Sequence, residues 1–180
     1  MFYNHVRPDR QSIDIRQVNE DGTRYYETPD GSKYPSVTTV LSEYSKQAIA
    51  EWRARVGEEV ANKTTRIASG RGTRIHQLCE DYIQNKPIEY KNPLDQVMFN
   101  SMKPLLHRIN NVHVQEHGMY SNYLRLAGTV DCIAEFDGKL SVIDFKTASK
   151  QKRSDWIENY FMQCSAYAVM YEELYREPIN

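Results

Sequence analysis

Long apolar runs are missing from this chain of 180 residues, and no stretch approaches the length needed to span a bilayer. The N-terminus, Met1-Phe2-Tyr3-Asn4-His5-Val6-Arg7-Pro8-Asp9-Arg10, lacks the apolar centre of a secretory signal. A protein that stays in the cytoplasm, with no membrane partner, is expected. Cysteine is scarce: Cys79, Cys132 and Cys164 lie far apart among apolar neighbours. That count and spacing exclude a disulfide framework and a zinc or iron–sulfur motif, leaving reduced, buried thiols. An excess of one charge is also missing, with 23 basic residues against 24 acidic ones and a net charge of −1. Distribution matters more than the sum. Lys46, Arg53, Arg55, Lys63, Arg66, Arg71 and Arg74 face three acids, Glu51, Glu58 and Glu59, over one short stretch. Lys146, Lys150, Lys152 and Arg153 form a second basic cluster. Either is an ordinary solvated face unless it flanks a reactive site.

No repeat, low-complexity tract or Gly/Ser linker interrupts the chain, so one domain is expected. Ile13 and Ile15 alternate with charged residues, Asp21-Gly22 supplies a turn, and Arg24-Tyr25-Tyr26-Glu27-Thr28 returns as a hairpin. A second turn at Asp30-Gly31 leads to Tyr34–Leu41, where Pro35 and the hydroxyls suit a helix start. From Lys46 to about Asn85 the pattern is helical, with a break expected near Ser69-Gly70. Ile75, Leu78, Cys79 and Tyr82 make one buried stripe. A further helix runs from Pro93 towards Arg108, kinked or divided at Pro104. Strands are expected from Val112-His113-Val114, from Leu124 to Phe136 and from Lys139 to Thr147. A last helix, with Ser154 as N-cap, reaches about Tyr175. The fold class is therefore α/β, a small mixed sheet with a central antiparallel hairpin flanked by helices.

Within that hairpin, Asp137-Gly138 is the preferred pair for a two-residue type I′ turn. Phe136 then pairs with Lys139 and Asp131 faces Asp144, with Cβ atoms about 4.5–5.5 Å apart. Alternation puts Lys146 on the face of Asp144, with Thr129, Ile133, Leu140 and Val142. Val130, Cys132, Ala134, Phe136, Ile143 and Phe145 take the other face. Two carboxylates in an apolar layer repel each other. A divalent cation removes the conflict, since Mg²⁺ takes one or two carboxylates plus water and phosphate oxygens. A neighbouring ammonium can orient or deprotonate a water and stabilise charge on phosphate. The competing reading is a buried salt bridge between Lys146 and one aspartate, which leaves the other poorly satisfied. One helix earlier, His76 and Glu80 share a face at i, i+4. Alone, His76 is a core or boundary residue; beside a carboxylate pair it is a candidate ligand for Mg²⁺ or Mn²⁺. Glu80 is a weaker candidate ligand, a group that fixes the histidine tautomer, or a partner of Arg74 or another neighbour.

Taken in order, Gly72-Thr73-Arg74-Ile75-His76, Gly128-Thr129-Val130-Asp131, Ile143-Asp144-Phe145-Lys146-Thr147 and Gln163-Cys164-Ser165-Ala166-Tyr167 resemble the motifs of the RecB-type branch of the PD-(D/E)XK nuclease superfamily. Val130 stands where the superfamily's name has proline. The cysteine cluster of its iron–sulfur members is absent, so no cluster is expected. The resemblance implies a restriction-endonuclease-like core and a deoxyribonuclease dependent on Mg²⁺ or Mn²⁺. It implies catalytic roles for Asp131, Asp144 and Lys146, and a metal held by His76, Asp131, Asp144 and the backbone carbonyl of Phe145. Gln163 and Tyr167 would support the site or the DNA strand, although Tyr167 suits core packing equally well. Ser36 and Thr38 resemble a phosphate-gripping motif and serve equally well as a helix cap. Arg71 joins them as a nucleic-acid contact. Glu116 is similar to the glutamate of the first core strand, a group behind the ligands or an exposed strand acid.

Residues 1–70 would then be a DNA-gripping hairpin and helical part, and residues 71–180 the catalytic core. The arrangement is most similar to exonucleases of the branch, mitochondrial or phage-encoded, that act on single-stranded DNA ends; a phage-encoded member would work in the host cytoplasm. Asn180 follows soon after the Gln/Tyr helix, where members of the branch continue with another strand, so a small sheet or a shortened chain is expected. A structure-selective endonuclease, a silent DNA-binding module and a metal-stabilised domain without nucleic acid remain the alternatives.

Overall fold

The computed structural model describes residues 2–148 and 157–179. Two turns of the same chemistry organise its strands. Asp21-Gly22 and Asp137-Gly138 each place two consecutive residues at positive φ, 48° and 77° in the first and 50° and 77° in the second. That is the twist a two-residue antiparallel hairpin needs. The first turn joins β1 (Arg16–Glu20) to β2 (Thr23–Glu27), and the second joins β5 (Leu126–Phe136) to β6 (Lys139–Ile143). β3 (Lys33–Pro35) completes a first antiparallel sheet, β1-β2-β3, and β4 (Ile109–Ser121) completes a second, β4-β5-β6. The α/β class holds, while the β5–β6 hairpin, expected at the centre, lies at one side of its sheet with β6 as the edge strand among the described residues. Parallel pairing, expected of a mixed sheet, is present as two isolated bridges, His5 to Val112 and Ser36 to Ala127.

Ile13 and Ile15 stand before β1 rather than in it. Ile13 donates its N–H to the Gly118 carbonyl, and a Cβ on Gly118 would sit 2.7 Å from the Ile13 oxygen. A glycine is what lets this segment approach β4. The third strand, expected to reach Thr147, stops at Ile143. Beyond it the Asp131 carboxylate accepts the Phe145 N–H at 2.8 Å, so a side chain takes over a donor that a ladder would otherwise use.

α1 (Val37–Val56) starts where the hydroxyls predict, with the Ser36 side chain accepting from the Thr39 N–H. The break expected near Ser69-Gly70 lies instead at Gly57, at φ 85°, and α2 runs without interruption from Glu58 to Ile83. Gly57 adopts a backbone conformation that side chains resist; Gly70 stays helical, where glycine costs only about 1 kcal/mol. α3 (Pro93–Leu106) is not divided by Pro104, which falls in its last turn and removes a single hydrogen-bond donor there. α4 runs from Glu158 to Tyr175. The expected cap Ser154 and the basic residues Lys150, Lys152 and Arg153 lie outside the described residues.

Two apolar clusters enclose the second sheet. Ile75, Leu78, Cys79, Phe99, Cys132 and Phe145 join α2 and α3 to one side. Val37, Ile133, Tyr167, Met170 and Tyr171 join α1 and α4 to the other. Val130, assigned by alternation to the Cys132 side, packs with Ile133 and Tyr167 instead. On β4, Glu116, between the pairs Gln115–Cys132 and His117–Val130, stands at φ 45°. Cys79 and Cys132 are buried, Cys164 is half-buried, and all three are unpaired.

The N-terminal segment closes the first cluster. Tyr3 is buried and its hydroxyl donates to the Leu106 carbonyl at 3.0 Å. Beneath α4, buried His117 bonds the Tyr175 hydroxyl at 2.6 Å. Burial, aided by the Arg10 charge, pushes its pKa down to about 4. A histidine whose folded pKa lies below its unfolded value of about 6.5 stabilises the fold above pH 6.5, and that contribution is lost as pH falls toward 4. Chemical denaturation between pH 7 and 4 should therefore show a loss on the order of 3 kcal/mol from this group. His117→Gln should flatten the profile; a slope identical in the two proteins would refute the assignment.

Candidate active site

The register of the β5–β6 hairpin puts the two central carboxylates together. Its last ladder pair is Cys132 with Ile143, so Asp131 and Asp144 are the next residues along. Asp131 is anchored by the Phe145 N–H at 2.8 Å and has His76 Nδ1 at 3.4 Å from Oδ2. Asp144 is held by Lys146, whose Nζ lies 2.7 Å from Oδ1 and 2.6 Å from Oδ2. Gln163 donates from Nε2 to the same Oδ1 at 3.0 Å. The side chain of Asp144 is 6% exposed and that of Lys146 is 35% exposed. The carboxylate is thus enclosed while the ammonium reaches solvent.

Burial pushes the Asp131 carboxyl above the ordinary range. The Asp144 charge adds to the rise, while the Phe145 N–H, His76 and Lys146 oppose it. An anion at Asp131 is therefore disfavoured, and positive charge brought to this point would relieve it.

A cleft of about 450 Å³ opens in front of Asp131, walled by Gly72, Thr73, His76, Glu80 and Glu116. Glu80 accepts from Gln77 at 3.2 Å and from Gln84 at 3.0 Å. Arg74, one partner considered for it, bonds Asp95 instead at 2.8 Å. Glu116 opens to solvent at the rim, yet crowding of its carboxyl, with like charges on Asp131 and Glu80, pushes its pKa up to about 7. A Cβ on Gly72 would meet Thr147 Oγ1 at 3.8 Å, so α2 lies against the loop that follows Lys146.

The remaining predicted residues fall in three places. Ser36 is buried at the start of α1 and caps it, while Thr38 is exposed beside it and accepts from Arg24. Arg71 lies on α2, and its Nε is buried with no hydrogen-bond partner among the described residues. Gln163 joins the carboxylate pair. Tyr167 is buried in the second cluster, where a Cβ on Gly128 would lie 2.7 Å from its hydroxyl oxygen. Gly128→Val should therefore destabilise the fold by about 1–3 kcal/mol through overpacking. Adding Tyr167→Phe, which removes the nearest atom, should recover part of the loss in thermal unfolding; no recovery would mean that the clash lies elsewhere. Tyr160 was not foreseen: its ring lies 5.5 Å from the Lys146 ammonium. Its place four residues after Trp156 carries no signal that reasoning on sequence could have used.

The donor chemistry suits a hard divalent cation. Two carboxylates, an imidazole and a carbonyl oxygen are the groups that Mg²⁺ and Mn²⁺ accept. Among the described residues, no three His, Cys, Asp or Glu side chains converge into a ready shell. Mg²⁺ keeps several waters and takes phosphate oxygens, so a carboxylate pair is a sufficient protein share.

Comparison with known proteins adds an independent line. Residues 94–179 match the family model described as the PD-(D/E)XK nuclease superfamily. That span includes Asp131, Asp144, Lys146, Gln163 and Tyr167 but not His76 or Arg71. Mitochondrial genome maintenance exonuclease 1 of Homo sapiens is 30% identical over 129 residues, covering 66% of this chain and 38% of that protein. Its Xenopus tropicalis counterpart is 29% identical over 163 residues, 81% of this chain and 46% of that one. The Mus musculus counterpart is 28% identical over 129 residues, again 66% and 38%. The chain thus spans less than half the length of these curated relatives.

Proposed function

From a chain that carries a PD-(D/E)XK nuclease superfamily domain over residues 94–179, we propose a deoxyribonuclease dependent on Mg²⁺ or Mn²⁺, an exonuclease acting on single strands or on ends. The observation that carries this reading is the position of Asp131 and Asp144 just beyond the last ladder pair of one hairpin, with Lys146 held on Asp144. The exonuclease names of the relatives favour ends over internal sites. Residues 71–180 would form the catalytic core and residues 1–70 the part that grips DNA. No described helix is long and apolar enough to cross a membrane.

In this reading Asp131 and Asp144 hold the cation, with the Phe145 carbonyl and His76 as further donors. The bound cation supplies Lewis-acid stabilisation of the charge that develops on the phosphate. Lys146 orients the attacking water at its ammonium and takes part in moving its proton. Gln163 keeps the Asp144 carboxylate turned toward Lys146, and the Phe145 N–H keeps Asp131 in place. Arg71 and Thr38 would contact the strand's phosphates, Ser36 would act through the α1 start that it caps, and Tyr167 would support the floor through its packing on Gly128.

The test is digestion of end-labelled linear single-stranded DNA with Mg²⁺, Mn²⁺ or EDTA. Label should be released with either metal and retained in EDTA. Circular single strands should resist; cutting of circles at the linear rate would replace the exonuclease by an endonuclease on the same core. His76→Ala should shift the metal concentration giving half-maximal rate upward, by on the order of tenfold. An unmoved titration would remove His76 from the ligand set.

A further inference from the structure

Beside Asp144 and Lys146 lies a chamber of about 430 Å³ with almost wholly apolar walls, distinct from the cleft in front of Asp131. Leu105 of α3, Val142 of β6 and Tyr160, Phe161 and Cys164 of α4 contribute to it. Among the described residues, the charged groups that line it are Asp144 and Lys146. Lys146 extends its ammonium over the Tyr160 ring, 5.5 Å from the centroid. Large apolar side chains stay in water here, Phe161 at 63% and Leu105 at 54% exposed.

A cavity of this size falls in the range of small-ligand sites. One end holds the carboxylate and ammonium that would meet the scissile phosphate, and the rest offers aromatic and aliphatic surface. A ligand matching that division has a flat apolar body joined to an anion at one edge. We infer that the chamber receives one unpaired nucleobase of the bound strand, from the nucleotide whose phosphate lies at Lys146, packed against Tyr160 and Phe161. This rests on the nuclease reading of the same site. A base in a duplex must leave its stack and its partner to enter, so the chamber selects single strands and frayed ends. Stacking surface with few hydrogen-bonding groups accepts all four bases with weak preference.

The test uses the full chain and linear single-stranded DNA carrying one abasic nucleotide. Wild type should slow at that nucleotide by about tenfold, the order set by one base–aromatic stack. Phe161→Ala should slow every step on the intact strand through KM by a similar factor and lose the extra delay at the abasic position. Leu105→Trp, which narrows the mouth without touching the catalytic groups, should behave the same way. Unchanged circular dichroism and melting of either variant would restrict the comparison to folded protein. Passage of the abasic position at full rate by wild type, or penalties that multiply in the variants, would overturn the inference. An oligonucleotide containing 2-aminopurine, quenched on stacking, separates the two claims. Quenching by wild type and not by Phe161→Ala, without cleavage, would support the chamber and overturn the nuclease. Cleavage with no dependence on the base would overturn the chamber alone. An effect of Phe161→Ala on sedimentation with DNA rates intact would assign this face to contact between copies and overturn the base.

Discussion

Lys146→Ala should lower cleavage of linear single-stranded DNA by on the order of 10²–10⁴-fold while leaving Mn²⁺ binding intact. Lys146 bonds both oxygens of Asp144, so it competes with a cation for that carboxylate. Its removal leaves Gln163 as the remaining partner described on Asp144 and makes the carboxylate pair a better cation site. Calorimetric titration with Mn²⁺ should give an affinity at or above the wild-type value. Lys146→Arg separates two roles of the ammonium: a guanidinium keeps the charge but does not release a proton near neutral pH. Substantial activity in Lys146→Arg would reduce Lys146 to an electrostatic group, and lost metal binding in Lys146→Ala would contradict its separation from the ligands.

Asp131→Asn should abolish cleavage and weaken Mn²⁺ binding, and yet raise the melting temperature of the metal-free protein. Burial and the Asp144 charge lift the Asp131 carboxyl above its ordinary range. A carboxyl with a raised folded pKa is protonated more readily in the fold than in the unfolded chain. Stability is then lost as pH rises through that window, and the ionised form is a liability at neutral pH. Asparagine keeps an oxygen for the Phe145 N–H and carries no charge. The gain in melting temperature should shrink as pH falls and Asp131 takes up its proton, and should be reversed by Mn²⁺, which binds the wild type alone. A variant that melts lower at neutral pH would show the carboxylate to be a structural anchor rather than a strained functional group.

The catalytic hairpin was legible because its determinants are local. Asp137-Gly138 names its turn type, and constant register carries that information six residues out to Asp131 and Asp144. Helix limits were less legible where glycine was the only cue. Gly57 and Gly70 look alike in sequence, but only Gly57 occupies a positive φ, and that depends on how α1 and α2 pack. Val130 departs from alternation next to Glu116, whose φ of 45° on the neighbouring strand has no signal in the sequence. β3 was missed because three residues with a proline carry no period, and its ladder is specified by β2. Gln163 was reached through resemblance alone, since nothing in its helix indicates the Asp144 oxygen 19 positions away. The apolar chamber was invisible for a related reason, as its walls come from α3, β6 and α4.

The buried N-terminal tyrosine sets a timetable for synthesis. Tyr3 finds its carbonyl partner at Leu106 and its backbone partners at Asn85, while the bridge at His5 waits for Val112. A chain leaving the ribosome at about 5–20 residues per second carries this segment unpaired for seconds, until β4 emerges. The hairpin bearing the carboxylates can close within about 1–10 μs of its own emergence. The partners of Tyr3 and His5 all emerge before the hairpin that carries Asp131 and Asp144, so this segment can be secured before the reactive centre is complete. Loss of the Tyr3 contacts should therefore appear in folding yield before it appears in catalytic rate.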